Sequence, residues 1–340
     1  MIKDYKNKTF GLIKGTFIIS KIDYKPFSNK PGSFLACEFT DNSGSMKGFM
    51  WEGFAFYKSW LKNKIVVNIV GELNSYKGTV QIQLKSMSKA EIYNSTDFVP
   101  SLSSEKISCI EKDLKSFEES IKNEVCKKIW TELLCDSIGS LKLPYLHCPG
   151  GVGEVHHNYC GGLAEHSFSM MQIGESVSQQ QNLDRDIVLT GCLIHDIGKI
   201  QCYNWNLVIE MSDAGRLLHH TYMGYGMLLE MAKKTDIQLN DPTFLKLAHI
   251  IVSHHEEEGI RKTMFPEANA VAKLDAMDAM ITHANVYSTA PENKDGNSNW
   301  TKFCNLTQRQ YYIPIFQEKI PDTPPQTPDT DIIDDLFGDK

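Results

Sequence analysis

Five short clusters of histidine and aspartate lie between residues 156 and 278, and they constrain this chain more than any other feature. They occur in the segments HHNYCGGLAEH, LIHDIGK, LLHH, VSHH and LDAMD. Imidazoles and carboxylates are the usual protein ligands of catalytic divalent metals. Five such patches on separate predicted helices indicate one metal centre inside a helical bundle.

The most informative cluster is the adjacent pair His195 and Asp196, which lies in the apolar stretch IVLTGCLIHDIGKI. A buried helix normally excludes both residue types, so each needs a partner there. Neighbouring helical side chains point about 100° apart, which lets both reach one ion at the helix surface. A single pair of this kind is as often a hydrogen-bonded feature of the core, so the other four clusters carry the interpretation.

The order of His166, His195-Asp196 and Asp275 resembles that of the HD superfamily of metal-dependent phosphohydrolases. The additional His220 and His254 resemble the members of that superfamily that hold two metals. A small β-domain followed by HHNYCGGLAEH, HDIGK, SHH and LDAMDAM is similar, more narrowly, to the YhaM-type 3′→5′ exoribonucleases. This likeness runs from about residue 8 to residue 316.

The resemblance implies two divalent metal ions, with manganese favoured and magnesium, iron, cobalt and nickel also compatible with the ligand types. Asp196 is the expected bridging ligand between the ions. The implied ligands are, for the first ion, His166, His195, Asp196 and Asp275, and for the second, Asp196, His220 and His254, with His255 as a further ligand or a substrate contact.

The candidate catalytic residues are Asp196, His195, Lys199 and His157. Lys199 follows the His-Asp pair by three or four residues, which directs its ammonium group toward a bound phosphate; a surface lysine is the alternative. His157, like His156, either contacts a phosphate and transfers a proton or simply occupies the loop.

Asp275 and Asp278 are three residues apart and share one face of a predicted helix. The resemblance makes Asp275 the metal ligand and places Asp278 behind it or facing the substrate.

Residues 10 to 88 contain five β-rich runs separated by the turn signals NKPG, DNSG and NSYKG, with a short helical insert after the third run. This order matches an OB-fold, a small barrel that commonly binds single strands. Strand alternation directs Met46, Gly48 and Met50 inward. The predicted nucleic-acid-binding residues point outward or extend from the last hairpin, and they are Phe34, Lys47, Phe49, Trp51 and Tyr76. The alternative is that these aromatic residues pack against the second domain.

The predicted fold is therefore an all-β OB-fold barrel followed by an all-α HD-domain bundle. We expect the OB-fold domain at 1–95, a linker and one long connecting helix at 96–141, the HD domain at 142–316 and a disordered acidic tail at 317–340. The first 95 residues contain 14 lysines and seven carboxylates, whereas the whole chain has a formal net charge of −7. A basic front domain next to an acidic body suits a module that delivers a polyanion to a hydrolytic site.

The predicted function is metal-dependent 3′→5′ hydrolysis of single-stranded RNA, with single-stranded DNA as a second substrate. Two alternatives stay open: a phosphohydrolase of small nucleotides, and a non-catalytic single-strand-binding accessory protein whose acidic tail recruits a partner. No apolar run reaches membrane-spanning length and the nine cysteines form no Cys-x-x-Cys pair, so we expect a cytoplasmic protein without membrane contact or disulfides. A protein partner of the tail and a homo-oligomer are further expectations.

Overall fold

The computed structural model describes residues 1–6, 8–76, 78–93, 97–153, 157–255 and 262–313. His156 and the predicted acidic tail at 317–340 lie outside these residues. None of the described helices is long and apolar enough to cross a membrane.

The first part of the chain is a closed five-stranded barrel in the order β1-β2-β3-β5-β4, preceded by the short helix α1 (Lys3–Lys6). The strands are β1 (Gly11–Pro26), β2 (Ser33–Asp41), β3 (Gly44–Met50), β4 (Ile65–Tyr76) and β5 (Thr79–Lys89). A single 3-10 turn, Phe54–Tyr57, connects β3 to β4. The prediction of an OB-like barrel with one helical insert is confirmed.

The alternation predicted for β3 is also present. Met46 and Met50 are buried in the barrel core, while Lys47 on the same strand is exposed. Trp51 follows Met50 and is 40% exposed. Because successive side chains of a strand point to opposite faces, the polar and aromatic set of β3 lies on the outer surface of the barrel.

The segment after the barrel corrects one expectation, because it forms two helices and not one long helix. These are α2 (Ser104–Ser120) and α3 (Glu124–Leu134). The Asn123 side chain accepts hydrogen bonds from the backbone N–H groups of Val125 and Cys126, which caps the start of α3. The Asp186 carboxylate accepts hydrogen bonds from the backbone N–H groups of Lys122 and Asn123. Apolar periodicity continues across this break, which is why the pattern alone predicted a single helix.

The rest of the described chain is a helical bundle with one short hairpin. Its elements are α4 (Lys142–His147), α5 (Gly162–Gln181), α6 (Arg185–Ile194), α7 (Lys199–Cys202), β6 (Tyr203–Asn204), β7 (Glu210–Met211), α8 (Asp213–Lys234), α9 (Pro242–Ser253) and α10 (Pro266–Thr289). Large side chains fill the core: the Trp130 indole donates to the hydroxyl of Thr190 and the Tyr145 hydroxyl donates to the carbonyl of Leu193. Both bonds join other elements to α6, and α6 ends at the predicted site.

The β6–β7 hairpin connects the bundle to the barrel. Leu207 and Val208, at its tip, pack against the barrel residues Ile18 and Val66 and against Phe98. Lys64 at the start of β4 forms an ion pair with Glu210 of β7. The apolar contact and the ion pair hold the hairpin against the barrel.

The described residues from Ala284 to Ile313 belong to a second compact unit. Its described part contains the end of α10, a 3-10 turn at Pro291–Asn293 and isolated bridges such as Trp300 with Tyr312. The domain boundaries expected from the sequence stay predictions.

Candidate metal centre

The predicted ligands lie at or near helix ends that meet inside the bundle. Helix α6 ends at Ile194 and α9 ends at Ser253, so His195 and His254 follow directly as the capping residues. His166 lies in the second turn of α5, and Asp275 lies in the middle of α10. All four side chains are buried, and burial of groups of this kind requires partners.

Two glycines allow the close approach of the segments that carry the site. A Cβ atom at Gly198 would lie 1.9 Å from the carbonyl oxygen of His220, so only glycine lets α8 pack against the turn after the His-Asp pair. A Cβ atom at Gly162 would lie 2.2 Å from the carbonyl oxygen of His157. The Gly-Gly turn and the glycine of HDIGK therefore have a packing role that positions the histidines.

A first ligand group consists of His166, His195 and Asp275, whose ligand atoms all lie within 4.8 Å of one another. The Nε2 atom of His166 is 3.2 Å from Oδ1 of Asp275, and that of His195 is 4.0 Å from the same oxygen. Three different helices thus aim two imidazoles and one carboxylate at one point.

A second ligand group consists of Asp196, His220, His254 and His255, again within 4.8 Å. The Nε2 atoms of His220 and His255 are 3.1 Å apart. His255 is less buried than His254, with 29% of its side chain exposed, and it lies at the outer edge of the group.

Asp196 joins the two groups. Its Oδ2 atom is 3.3 Å from Nε2 of His195 in the first group. Its Oδ1 atom is 3.1 Å from Nε2 of His220 and 3.6 Å from Nε2 of His254 in the second. One oxygen of the carboxylate faces each group, which is the placement that a bridging ligand requires.

Backbone hydrogen bonds fix the orientation of two of the imidazoles. His195 donates from Nδ1 to the carbonyl of Cys192 over 3.0 Å, and His254 donates from Nδ1 to the carbonyl of Ile251 over 2.9 Å. A proton on Nδ1 leaves the lone pair on Nε2, the atom that faces the site. Both Nε2 atoms are buried and have no partner in hydrogen-bond geometry among the described residues. Buried nitrogen lone pairs of this kind fit divalent metal ions.

At Asp196 and His220 the pKa shifts agree with metal binding, whereas His166 holds a proton at neutral pH that an ion bound at Nε2 would have to displace. Burial alone would lower the pKa of His166, but hydrogen bonds with Asp275 and Asp278 outweigh it and raise the pKa to about 9. Burial dominates for His220 and holds its pKa well below the usual value, despite the charge of Asp196. Burial would raise the pKa of Asp196, but the charge of Lys199 holds it well below its usual range. A neutral His220 and an ionised Asp196 are the protonation states that metal binding needs.

Two of the proposed catalytic side chains are placed differently from the expectation. Lys199 is buried, and its ammonium group lies 2.6 Å from Oδ2 of Asp196 and donates to the carbonyl of Gly150. His157 is buried as well, with Nε2 2.9 Å from Asp278 and Nδ1 2.9 Å from the hydroxyl of Tyr159. Internal acceptors engage both side chains: Asp196 and the carbonyl of Gly150 for Lys199, and Asp278 for His157.

Asp278 lies behind the ligands. Its Oδ2 atom accepts a hydrogen bond from Nδ1 of His166 over 2.7 Å, and its Oδ1 atom accepts one from the hydroxyl of Ser169 over 2.6 Å. Together with His157 this carboxylate holds the ring of His166, so that Nε2 points at Asp275 on the opposite side. No pattern in the sequence identifies Ser169 as a partner of Asp278.

The barrel surface brings three of the predicted nucleic-acid-binding residues together. The Trp51 ring lies 4.7 Å from that of Phe34 and is stacked 5.7 Å from that of Phe49, measured between ring centroids. Two residues that the sequence interpretation missed complete this aromatic cluster: the Phe27 ring lies 5.4 Å from Phe34, and the Lys30 ammonium group lies 4.3 Å from the Phe27 ring. The run FSNKPG places an aromatic residue and a lysine in a turn next to the predicted binding strands. This pattern could have identified Phe27 and Lys30 as binding residues.

The other two predicted residues lie elsewhere on the barrel. The parallel pairing of Gly48 with Ile82 aligns the start of β5, and with it Tyr76, with the beginning of β3, whereas Trp51 follows its end. Tyr76 is 61% exposed. Lys47 is exposed in the middle of β3.

A family model for the HD domain matches residues 163–280. The chain is 26% identical over 310 residues to the 3′-5′ exoribonuclease YhaM of Bacillus licheniformis. This match covers 89% of this chain and 95% of the relative. It is 25% identical over 326 residues to the protein of the same name from Shouchella clausii, with 94% and 99% coverage. The HD domain of the phosphodiesterase PgpH of L. monocytogenes matches 47% of this chain and 74% of that one at 15% identity, with a TM-score of 0.25. The predicted resemblance is confirmed: residues 163–280 match the HD-domain model, and the chain is similar to the YhaM proteins over about nine tenths of its length.

Proposed function

We propose that this HD-domain protein is a metal-dependent phosphodiesterase that shortens single-stranded RNA from its 3′ end. The observation that carries the proposal is Asp196, one carboxylate shared by two buried ligand groups. The direction of digestion and the RNA substrate are taken from the relatives that are named 3′-5′ exoribonuclease.

His166, His195, Asp196 and Asp275 would hold one ion, and Asp196, His220, His254 and His255 would hold a second. Paired divalent ions activate water and neutralise the charge that develops on a phosphate during cleavage. Mixed imidazole and carboxylate ligands favour manganese among such ions and also suit iron, cobalt, nickel and magnesium to different degrees.

Lys199 and Asp278 prepare the site for these ions. The ammonium group of Lys199 compensates part of the charge of Asp196 and fixes the carboxylate by contact with Oδ2. Asp278 fixes the ring of His166 through Nδ1. Carboxylates that orient metal-bound histidines are typical supports of such centres. We assign Lys199 and His157 to positioning, in place of direct phosphate contact.

The barrel would bind the strand upstream of the cleaved bond. Exposed aromatic rings next to lysines permit binding without sequence preference, because any base can stack while ammonium groups contact phosphates. The aromatic cluster with Lys30 meets this description. The contact of the β6–β7 hairpin with the barrel keeps strand binding and hydrolysis in one body.

Hydrolysis of small nucleotides is the second candidate, since an HD domain alone would support it. The aromatic cluster on the barrel favours strands, because a nucleotide hydrolase has no use for it. A binding-only protein would not need the buried ligand groups. The cytoplasmic location, the homo-oligomer and a partner for the acidic tail stay predictions.

The test is digestion of RNA and DNA labelled at the 5′ end, alongside free nucleotides, with manganese, magnesium, cobalt, nickel and iron. We expect a ladder of shortening 5′-labelled RNA products, and early release of a mononucleotide when the label is at the 3′ end. A circular RNA of the same sequence is the matched control and should resist digestion. Turnover of nucleotides without shortening of strands would support the second candidate, and digestion from the 5′ end would overturn the proposed direction.

A further inference from the structure

A pocket of about 260 Å³ opens beside the second ligand group. We infer that it holds the base of a nucleotide next to the cleaved phosphate, a conclusion that rests on the proposed function for its substrate. The pocket is lined by Gly150, Gly151, Val152, Lys199, Cys202, Tyr203, Met211, Gly215, His219 and His220.

The pocket is placed where a metal-bound nucleotide would need it. His220 belongs both to the lining and to the second ligand group, with Nε2 3.1 Å from Asp196. Lys199, also in the lining, contacts the other oxygen of that carboxylate. A phosphate held at the ligand groups therefore has its sugar and base within reach of the pocket.

The walls suit the flat faces of a base. Tyr203 and Met211 are paired across the β6–β7 hairpin and form one side, and Val152 contributes to the lining from the loop after α4. All three side chains are partly buried, so part of their apolar surface is accessible to a bound base. Aromatic and thioether groups stack readily on bases.

The size of the pocket suits one base. Its volume of about 260 Å³ lies just below the range of about 300 to 1,000 Å³ that is typical of pockets for drug-sized ligands. Its charged side chain, Lys199, is engaged by Asp196 and by the carbonyl of Gly150. We expect tolerance of base identity, because Tyr203, Met211 and Val152 would contact a base through its face.

His219 adds an independent observation. Its backbone has φ 64° and ψ 149°, which breaks α8 one residue before the ligand His220. Only glycine adopts this region readily, and strain of this kind is concentrated at functional sites. The break places the His219 ring 4.1 Å from that of His220, at the boundary between pocket and ligand group.

The experiment measures equilibrium binding of adenosine 5′-monophosphate and of inorganic phosphate to the manganese-loaded full-length protein. Met211→Trp and Val152→Trp fill the pocket from two different elements. Leu217→Trp adds the same bulk at a position that is 83% exposed and is the matched control. Manganese content, measured by elemental analysis, identifies a variant that has lost its fold.

We expect wild-type protein and Leu217→Trp to bind adenosine monophosphate more tightly than phosphate, and uridine monophosphate about as well. Filling the pocket should weaken nucleotide binding about tenfold or more while phosphate binding is retained. Unchanged nucleotide affinity in both filled variants, or wild-type binding no tighter than that of phosphate, would overturn the inference. RNA shortening is assayed on the same preparations, so that loss of the proposed function is seen separately from failure of the pocket.

Discussion

At the scale of single residues, two aspartates one helical turn apart have different tasks. Asp275 faces the Nε2 atoms of His166 and His195, whereas Asp278 bonds the opposite nitrogen of His166. Burial would raise the pKa of Asp278, but bonds from His157, His166 and Ser169 lower it far below the usual range. Asp278 is therefore an ionised hydrogen-bond acceptor. It orients the ring of His166 and does not belong to the second ligand group.

Substitution of Asp278 tests this division. Asp278→Asn removes the negative charge that holds the ring of His166, and only one of its two terminal side-chain atoms can still accept a hydrogen bond. We expect affinity for manganese at one of the two positions to fall by about 10- to 100-fold, measured by calorimetric titration, with unchanged circular dichroism. Asp113→Asn, an exposed position on α2, should leave both affinities unchanged. Equal manganese binding in Asp278→Asn would show that the carboxylate does not position the ligand.

The sequence predicts that these residues share one site, but it does not determine the role of each residue. The resemblance to the HD superfamily predicted a shared site for His166, His195-Asp196 and Asp275. The apolar stretches around His195-Asp196 and Asp275 supported it. Spacing of three residues puts Asp275 and Asp278 on one face without deciding which side chain faces the ion. Helical spacing also directed Lys199 toward a phosphate, but the nearest negative charge in the folded chain is Asp196.

At the scale of elements, the aromatic cluster depends on one strand end and one loop. Phe49 and Trp51 come from β3 and its end, Phe34 from the start of β2, and Phe27 with Lys30 from the connection between β1 and β2. Antiparallel pairing of β2 with β3 brings them to the same end of the barrel. Tyr76 lies at the far end of the barrel and is 61% exposed, compared with 40% for Trp51.

The cluster predicts unequal effects of aromatic substitutions. Stacking is worth roughly 1 to 3 kcal/mol per base, so Phe27→Ala combined with Trp51→Ala should weaken binding of a long single strand by at least tenfold. Hydrolysis of a dinucleotide should be spared. Tyr76→Ala is the comparison and should bind almost normally in the same fluorescence anisotropy titration. A larger loss in Tyr76→Ala than in the double variant would move the binding surface to the other end of the barrel.

Periodicity predicted the strand contribution to this cluster and missed the loop contribution. Alternation along β3 determines which side chains point outward, but a loop has no repeat from which the position of Phe27 could be derived. The same limit applies to the break between α2 and α3. Asn123 followed by Glu124 is a helix-start signal, but the apolar spacing around it continued and favoured one helix.

At the scale of the whole molecule, the fold does not depend on metal ions for its core. The bundle and the barrel each have a continuous apolar core. The ion pair of Asp196 with Lys199 compensates buried charge at the ligand groups. We therefore expect the metal-free protein to be folded and the metal-bound protein to be more stable.

Chelation measures that difference. An ion that binds only the folded chain stabilises it by about 2.7 kcal/mol when its concentration is 100 times its dissociation constant. Treatment with a chelator should thus lower the Tm by several degrees while far-ultraviolet circular dichroism at 25 °C is unchanged. His249→Ala, which removes a histidine outside both ligand groups, should show the same metal-dependent rise in Tm. A Tm that does not respond to manganese would contradict metal binding at the described residues.

Asp196 serves both ligand groups, and the substitution Asp196→Asn tests this shared role. The substitution keeps the shape of the side chain but removes the charge that both positions share. The decisive measurement is bound manganese per chain together with shortening of a 5′-labelled RNA, for the variant and for Asp213→Asn, an exposed position at the start of α8. We predict that Asp196→Asn loses both ions and that hydrolysis falls more than about a hundredfold, while strand binding by the barrel is retained and Asp213→Asn matches the wild type. Full shortening of the RNA by Asp196→Asn would contradict the account.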